Sequence, residues 1–177
     1  MTPLKPNNVT RHNLLDNADE YYMKLALKLA RLSEKRGEVP IGALIVDKNG
    51  EILAKTTNKR EQLTSVLGHA ELLALHRACK KKKSWRLVDC TLYVTLEPCF
   101  MCAGALVQSR ISRVVYGAKD PKGGALGSLA CLNDHLGLNH RFEVTSGVCE
   151  QEASFLLKDF FKKRGLNEIY EIHILNL

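Results

Sequence analysis

The chain has 177 residues, of which 45% are hydrophobic and 25% charged, and its 26 Lys and Arg against 19 Asp and Glu give a formal charge of +7. This length and composition fit one globular domain with a sizeable core and exclude an intrinsically disordered protein. The longest stretch without a charged side chain, residues 98–109, is too short to span a membrane, so we expect no membrane association. Because residues 1–19 lack the apolar segment of a secretory signal, we expect a cytoplasmic protein.

Hydrophobic periodicity predicts alternating helices and strands along the chain. Apolar residues at 3.6-residue spacing indicate an amphipathic helix over 21–36, and a turn at Asp47-Lys48-Asn49-Gly50 indicates a hairpin of strands 41–46 and 51–57. The same patterns predict, in chain order, a helix at 69–79, a strand at 91–96, a small-residue helix at 99–109, a strand at 113–117, a glycine-rich loop at 120–127, a strand at 141–145 and an amphipathic helix at 150–164. This order predicts an α/β fold with one mixed sheet of about five strands and helices on both faces.

Four consecutive lysines occupy positions 80–83, directly after the predicted second helix. Such a run favours a solvated loop after a helix C-terminus, where cations also suit the helix dipole, over a specific contact with phosphate. The chain has no internal repeat and no linker rich in Gly, Ser or Pro. Nothing in the pattern therefore indicates a second domain.

Two of the six cysteines, Cys99 and Cys102, lie three residues apart at the start of a predicted helix. Residues at i and i+3 share one helix face and can reach one metal ion, and the helix N-terminus favours the thiolate form. His69, at the start of another predicted helix, supplies a third ligand. Three protein ligands leave one tetrahedral position open for water, which is the catalytic pattern of zinc.

Glu71 lies two residues after His69 in the same predicted helix. Side chains two residues apart on a helix point about 200° away from each other, and they converge only near the N-terminus, toward which Cβ atoms tilt. Glu71 can therefore reach a zinc-bound water instead of the metal. Zinc lowers the pKa of such a water to about 7, and a carboxylate placed there can take its proton and pass it to a leaving group.

Two other interpretations of these residues stay open. Cys99 and Cys102 alone can form a redox pair, although His69 and Glu71 would then have no role. A structural zinc site would need a fourth ligand, for which another cysteine or a remote histidine is available. We expect the remaining four cysteines to be small buried apolar side chains: Cys79, Cys90, Cys131 and Cys149.

The pattern His69-Ala70-Glu71 followed by Pro98-Cys99 and Cys102 resembles the signature of the zinc-dependent cytidine/deoxycytidylate deaminase superfamily. Within it, further segments are similar to the bacterial tRNA-specific adenosine deaminases: 38–43, 95–99, 101–105, 109–111, 117–120, 127–128, 139–141 and 160–161. The resemblance covers residues 19–164. It implies a deaminase domain over 19–164 with the three-layer α/β/α cytidine-deaminase-like fold, flanked by an N-terminal extension at 1–18 and a C-terminal tail at 165–177.

The resemblance also implies an activity, which is hydrolytic deamination of the wobble adenosine of tRNA anticodons to inosine. The enzyme would be a homodimer with one Zn²⁺ per subunit, and its partner would be the tRNA anticodon stem-loop. His69, Cys99 and Cys102 would bind the metal. Glu71 would be the catalytic proton shuttle, which protonates a ring nitrogen of the base and then the departing ammonia.

Three substrate-binding residues follow from the same resemblance. Asn58 would contact the flipped-out base, Asp120 would contact the ribose, and Ala70 would be a further substrate-binding residue. One segment departs from the family pattern, because residues 65–68 read Ser-Val-Leu-Gly where Asp-Pro-Thr-Ala commonly precedes the His-Ala-Glu motif. This segment lies close enough to His69 to shape the pocket and so bears on the choice of base.

Two further functions stay open beside tRNA editing. A deaminase of the same fold acting on guanine, cytosine or a nucleotide would use the same zinc and the same Glu71. A non-catalytic zinc-binding or RNA-binding module is the third class, although it has no need for a carboxylate at this position. Phe160, Phe161 and the cations that follow them can stack on and neutralise an RNA loop, but we expect at least one of the two rings to pack in the core.

Overall fold

The computed structural model describes residues 11–165, with side chains from residue 17 onward. Its helices are α1 (Arg11–Glu34), α2 (Ala70–Lys82), α3 (Phe100–Gln108) and α4 (Glu150–Lys163), and its strands are β1 (Gly42–Asp47), β2 (Ile52–Thr57), β3 (Cys90–Leu96), β4 (Arg113–Ala118) and β5 (Glu143–Thr145). A short 3₁₀ helix spans Leu132–Asp134. Within residues 11–165, no helix is long and apolar enough to cross a membrane.

The five strands form one sheet in the order β2-β1-β3-β4-β5. β1 runs antiparallel to β2 and β3, whereas β4 runs parallel to β3 and β5. Parallel neighbours need a crossover connection, and α3 provides it between β3 and β4. The predicted mixed sheet of five strands is therefore confirmed.

Both faces of the central strands are buried because helices cover each side of the sheet. In β1, Ala43 and Ile45 pack with buried residues of α2 and α3, whereas Leu44 and Val46 pack with those of α1 and α4. Successive side chains of a strand point to opposite faces, so the central strands β1, β3 and β4 each contribute to both clusters. Phe160 of α4 is also buried, which confirms that at least one of the paired phenylalanines packs in the core.

Helix α1 begins at Arg11, well before the predicted start at position 21. Its residue Asp19 is 3% exposed, and the carboxylate accepts hydrogen bonds from the Arg113 guanidinium at 2.8 and 2.6 Å and from the Tyr93 hydroxyl at 2.9 Å. Apolar periodicity does not reveal this start, because the buried side chain is polar and its partners lie on β3 and β4. Residues 11–18 of the expected N-terminal extension thus belong to α1, while residues 1–10 and 166–177 lie outside the described part.

The lysine run lies in α2, so the prediction of a loop was wrong for its first three residues. Lys80, Lys81 and Lys82 form the last turn of the helix, and Lys83 ends it with a left-handed φ of 52°. Lysine has a favourable helix propensity and its charge suits the C-terminal dipole, so the helix continues. All four side chains are exposed, and the Lys81 ammonium lies 2.8 Å from the Glu51 carboxylate.

The four cysteines outside the proposed metal site differ in burial. Cys90 is buried as predicted, and Cys79 and Cys149 are half-buried. Cys131 is exposed, so the prediction was wrong there. It lies in the connection between β4 and β5, directly before the 3₁₀ helix, where no sheet or long helix covers the chain.

Candidate active site

Three side chains from two helix N-termini converge at one point of the structure. His69 is the N-cap residue of α2, with φ −68° and ψ 141°, and Cys99 is the N-cap residue of α3, with φ −72° and ψ 173°. Cys102 lies in the first turn of α3 and is fully buried. The His69 Nδ1 atom lies 3.7 Å from the Cys99 Sγ and 3.5 Å from the Cys102 Sγ. The structure therefore brings the three predicted ligands together.

The chemistry of this group fits a zinc ion. One nitrogen and two sulfur atoms lie within 4.8 Å of one another, and zinc binds imidazole nitrogen and thiolate sulfur in tetrahedral sites. Among the residues that the structure describes, the group has three members, whereas a structural zinc site normally has four protein ligands. Three ligands match the pattern of catalytic zinc sites, in which one coordination position is left for water or substrate.

Hydrogen bonds within the group favour a thiolate at Cys99. The pKa of Cys99 is lowered to about 4, first by the hydrogen bond from the Cys102 thiol and, against the opposing effect of burial, by His69. The same hydrogen bond and burial raise the pKa of Cys102. The hydrogen bond to Cys99 raises the pKa of His69. The site thus concentrates negative charge on a sulfur atom at a helix N-terminus, which suits a cation.

Glu71 lies in the first turn of α2 and is 4% exposed. Burial raises the pKa of its carboxyl group, and its Oε2 atom is buried without a hydrogen bond to any described residue. Leaving a buried polar atom unpaired costs roughly 1–3 kcal/mol, so such an atom calls for a partner that the site binds. Glu71 is not a member of the group of three ligands, and its carboxylate remains available for proton transfer.

Two of the residues expected to bind substrate lie where β2 and α2 meet. Asn58 directly follows β2 and is buried; its N–H donates to the Ile41 carbonyl at 2.9 Å, and its Nδ2 donates to Glu38 Oε2 at 3.3 Å. Ala70 is the buried first residue of α2, between His69 and Glu71. Its carbonyl accepts a hydrogen bond from the Thr56 hydroxyl at 2.8 Å, which fixes the start of α2 against β2.

The third expected substrate-binding residue, Asp120, lies on the connection that follows β4. Its Oδ1 accepts hydrogen bonds from the N–H groups of Lys122 at 3.0 Å and Gly123 at 3.2 Å, a local pattern by which Asp stabilises a turn. Farther along this connection, Gly124 forms a backbone bridge with Cys99. The connection that carries Asp120 thus packs against a predicted metal ligand.

Comparison with known proteins identifies the family. The chain matches the family model of the MafB19-like deaminases over residues 17–165. It is 52% identical to a tRNA-specific adenosine deaminase of Bacillus subtilis (strain 168) over 145 residues, which cover 82% of this chain and 89% of that relative. The chain belongs to the tRNA-specific adenosine deaminase family. Its sequence resemblance to these deaminases is thereby confirmed.

Solved structures of two kinds of deaminase are similar to this chain. A tRNA:A34 deaminase that was studied for A-to-I editing at the wobble position of transfer RNA matches with a TM-score of 0.75 at 42% identity, covering 77% of this chain and 99% of that one. A guanine deaminase from Bacillus subtilis matches with a TM-score of 0.55 at 38% identity, covering 56% of this chain and 64% of that one. Of these two matches, the tRNA deaminase has the higher TM-score and the higher identity, and the three-layer α/β/α fold is confirmed.

Two buried carboxylates of this chain were not predicted as site residues. Glu38 is 2% exposed and accepts hydrogen bonds from Asn58 Nδ2 and from the N–H groups of Glu61 at 3.2 Å and Gln62 at 2.7 Å. Glu97, also 2% exposed, accepts a hydrogen bond from the N–H of Asp120, on the connection that follows β4. One sequence signal could have pointed to both glutamates. Each lies within two positions of a proline, next to an apolar strand.

Proposed function

We propose that this protein catalyses the hydrolytic deamination of the wobble adenosine of tRNA anticodons to inosine. The reaction consumes one water, replaces the exocyclic amine of the base with a carbonyl oxygen and releases ammonia. The observation that carries the proposal is the group of His69, Cys99 and Cys102 beside the unpaired Glu71 oxygen, in a chain of the tRNA-specific adenosine deaminase family.

The three converging ligands support zinc as the cofactor. His69, Cys99 and Cys102 would hold one zinc ion per subunit. When bound, zinc supplies a Lewis acid that activates a water molecule as the nucleophile. The thiolate favoured at Cys99 provides negative charge for the cation. Cys102 is fully buried, so bulk water does not reach the site from its side.

Glu71 is the proton shuttle of the proposed reaction. Its carboxylate takes one proton of the attacking water at the unpaired Oε2 atom and delivers it to a ring nitrogen of the adenine. It then takes the second proton of that water and passes it to the exocyclic amine, which leaves as ammonia while the water oxygen becomes the carbonyl oxygen. A pKa raised by burial suits this role, because the group must both accept and release a proton near neutral pH. The rigid first turn of α2 keeps the carboxylate beside His69 throughout.

Three further residues are proposed to bind the substrate near the zinc ligands and Glu71. We infer that Asn58 contacts the flipped-out base, that Ala70 lines the site between His69 and the proton shuttle, and that Asp120 contacts the ribose. The partner is the anticodon stem-loop of a tRNA. The formal charge of +7 supports this partner, because cations displace the counterions of a nucleic acid.

We also propose a homodimer. Phe100 is 49% exposed and Met101 is 36% exposed at the start of α3, next to the metal ligands. Exposed apolar side chains clustered in this way are typical of a protein interface, which a second subunit would cover. A deaminase domain over residues 19–164 and a cytoplasmic location stay predictions.

An RNA-editing assay tests the proposed function. Zinc-loaded protein is incubated with an unmodified tRNA that carries adenosine at the wobble position, and inosine is detected by reverse transcription because it is read as guanosine. We expect conversion by the wild type and none by Glu71→Gln, the matched control that keeps the side-chain shape. Ammonia release from free guanine, cytosine or a nucleotide, without conversion of tRNA, would instead show the small-molecule deaminase.

A further inference from the structure

A network of hydrogen bonds surrounds the carboxylate of Glu97, which lies at the end of β3 and is 2% exposed. Its Oε1 accepts hydrogen bonds from the N–H groups of Leu126 and Ser128, each at 3.0 Å. Its Oε2 accepts one from the N–H of Asp120 at 3.1 Å and a short one from the Ser128 hydroxyl. All four donors belong to residues 120–128, which we call the 120–128 loop.

The 120–128 loop also contacts the segment that carries a metal ligand. Gly124 forms an antiparallel backbone bridge with Cys99, two residues after Glu97. A Cβ atom at Gly124 would overlap the carboxyl group of Glu97, so only glycine lets the loop close around this side chain. Glu97 therefore lies between Cys99, two residues later at the start of α3, and Asp120 on the loop.

A buried carboxylate is costly unless its oxygens are hydrogen-bonded, and three of the four donors here are backbone N–H groups. The side chain of Glu97 therefore fixes the main chain of the loop. We propose that Glu97 is a positioning residue that holds Asp120 at the substrate site in a fixed relation to Cys99. This inference rests on the proposed contact between Asp120 and the ribose.

The substitution Glu97→Gln isolates this role because it keeps the side-chain shape and removes one acceptor. The amide oxygen can still accept from the N–H groups of Leu126 and Ser128. The amide nitrogen then takes the place of Oε2, where it can donate to the Ser128 hydroxyl but faces the N–H of Asp120, so that two donors oppose each other. The reverse orientation would lose two backbone hydrogen bonds. The substitution therefore releases Asp120 and keeps most of the loop.

Steady-state kinetics on the tRNA substrate, together with zinc content, test the inference. For Glu97→Gln we expect KM to rise about tenfold, with a nearly unchanged kcat and the zinc content of the wild type. Glu97→Gln should add little to the KM of Asp120→Ala, because both changes remove the same contact. A loss of zinc, a fall in kcat at unchanged KM, or additive effects of the two substitutions would overturn the inference.

Two further variants control for a purely structural effect. Asp19→Asn alters another buried acid that accepts several hydrogen bonds, on the opposite face of the sheet. It should lower the melting temperature and leave KM unchanged, and a comparable rise in KM would overturn the inference. Ser128→Ala removes one donor of the network and leaves the three backbone donors, so it tests the role even if Glu97→Gln fails to fold. We expect a smaller rise in KM, and an unchanged KM would contradict the proposal.

Hydrogen exchange distinguishes failure of this inference from failure of the proposed function. In Glu97→Gln, the amides of the 120–128 loop should exchange faster than in the wild type, while those of α3 should not change. This readout does not depend on activity. A wild type that edits no tRNA refutes the proposed function, whereas unchanged exchange in the loop refutes the positioning role of Glu97.

Discussion

Glu71 and Glu97 are two buried glutamates of the same site region with opposite surroundings. Glu71 is 4% exposed and Glu97 is 2% exposed. The Oε2 atom of Glu71 has no hydrogen-bond partner among the described residues, whereas both oxygens of Glu97 accept hydrogen bonds, four in total. Burial alone therefore does not distinguish a carboxylate that is available for reaction from one that stabilises the fold. The number of hydrogen-bond donors that the fold provides to its oxygens does distinguish them.

The difference has a physical cause. A carboxylate that is fully hydrogen-bonded by the fold is held in one position and has no free lone pair to offer a substrate. A carboxylate left unpaired by the fold has a higher free energy, and it recovers this energy when a substrate or water fills the gap. The unpaired oxygen of Glu71 is thus open to a substrate or water, as its proposed role requires, and the paired oxygens of Glu97 hold the 120–128 loop.

Loss of a metal ligand gives the largest expected effect. Cys99→Ala removes the sulfur that lies 3.7 Å from His69 Nδ1 and whose pKa is lowered to about 4. We expect zinc content to fall to background, deamination to become undetectable and the melting temperature to drop, because metal binding contributes to folding. Elemental analysis of the purified protein measures the zinc. Full zinc content in this variant would show that Cys99 is not a ligand.

Glu71→Gln tests the role of the glutamate whose Oε2 atom has no hydrogen-bond partner among the described residues. Removing a general acid–base group lowers kcat by roughly 10² to 10⁴-fold, and we expect a loss of this size with zinc content unchanged. Single-turnover assays on tRNA measure the chemical step. If the variant lost its zinc as well, Glu71 would be a ligand and not the proton shuttle.

Gly124→Ala tests how closely the 120–128 loop packs around the hydrogen-bonded carboxylate of Glu97. The added Cβ would overlap the Glu97 carboxyl group, so the loop must move away from it. Such overpacking costs about 1–3 kcal/mol in free energy of unfolding. Urea unfolding followed by circular dichroism measures the loss, and Gly104→Ala, where the added atom meets nothing within 4 Å, is the matched control. Equal stability of the two variants would contradict the close packing.

The smallest expected effect is a pH-dependent change in stability at Glu71. Because burial raises its pKa above that of the unfolded chain, the carboxylate destabilises the folded metal-free protein at neutral pH, and protonation removes this penalty as the pH falls through the folded pKa. In the presence of a chelator, Glu71→Gln should therefore be more stable than the wild type at neutral pH, by on the order of 1 kcal/mol. Thermal unfolding should show this advantage shrinking at acidic pH, and an advantage that grew there would contradict the assignment.

The sequence predicted those features that depend on local pattern. The hairpin followed by alternating strands and helices was visible in apolar periodicity, because each element buries one or both faces. The spacing of Cys99 and Cys102 predicted that these two side chains share one helix face. Their meeting with His69, which lies 30 and 33 positions earlier, was predicted from the chemistry of the three side chains and from the family resemblance, not from local pattern. The structure brings these three side chains together.

Features that depend on distant partners were not predictable in this way. The donors of Glu97 lie 23 to 31 residues away and are mostly backbone N–H groups, which no sequence letter marks. The early start of α1 was missed because Asp19 finds its partners on β3 and β4. Cys131 was expected to be buried from residue type alone, although its exposure follows from the irregular connection in which it lies.

The ion pair of Asp19 and Arg113 joins residues that are 94 positions apart in the chain. During synthesis, α1 is complete long before β4 has been made, so its buried carboxylate must wait for its partner. Contacts of such long sequence separation slow folding, because the intervening loop must close before they form. Helix α1 packs mainly on β1, β2 and β3, so it can dock before β4 is complete, and the contact between Asp19 and Arg113 is then among the last to form.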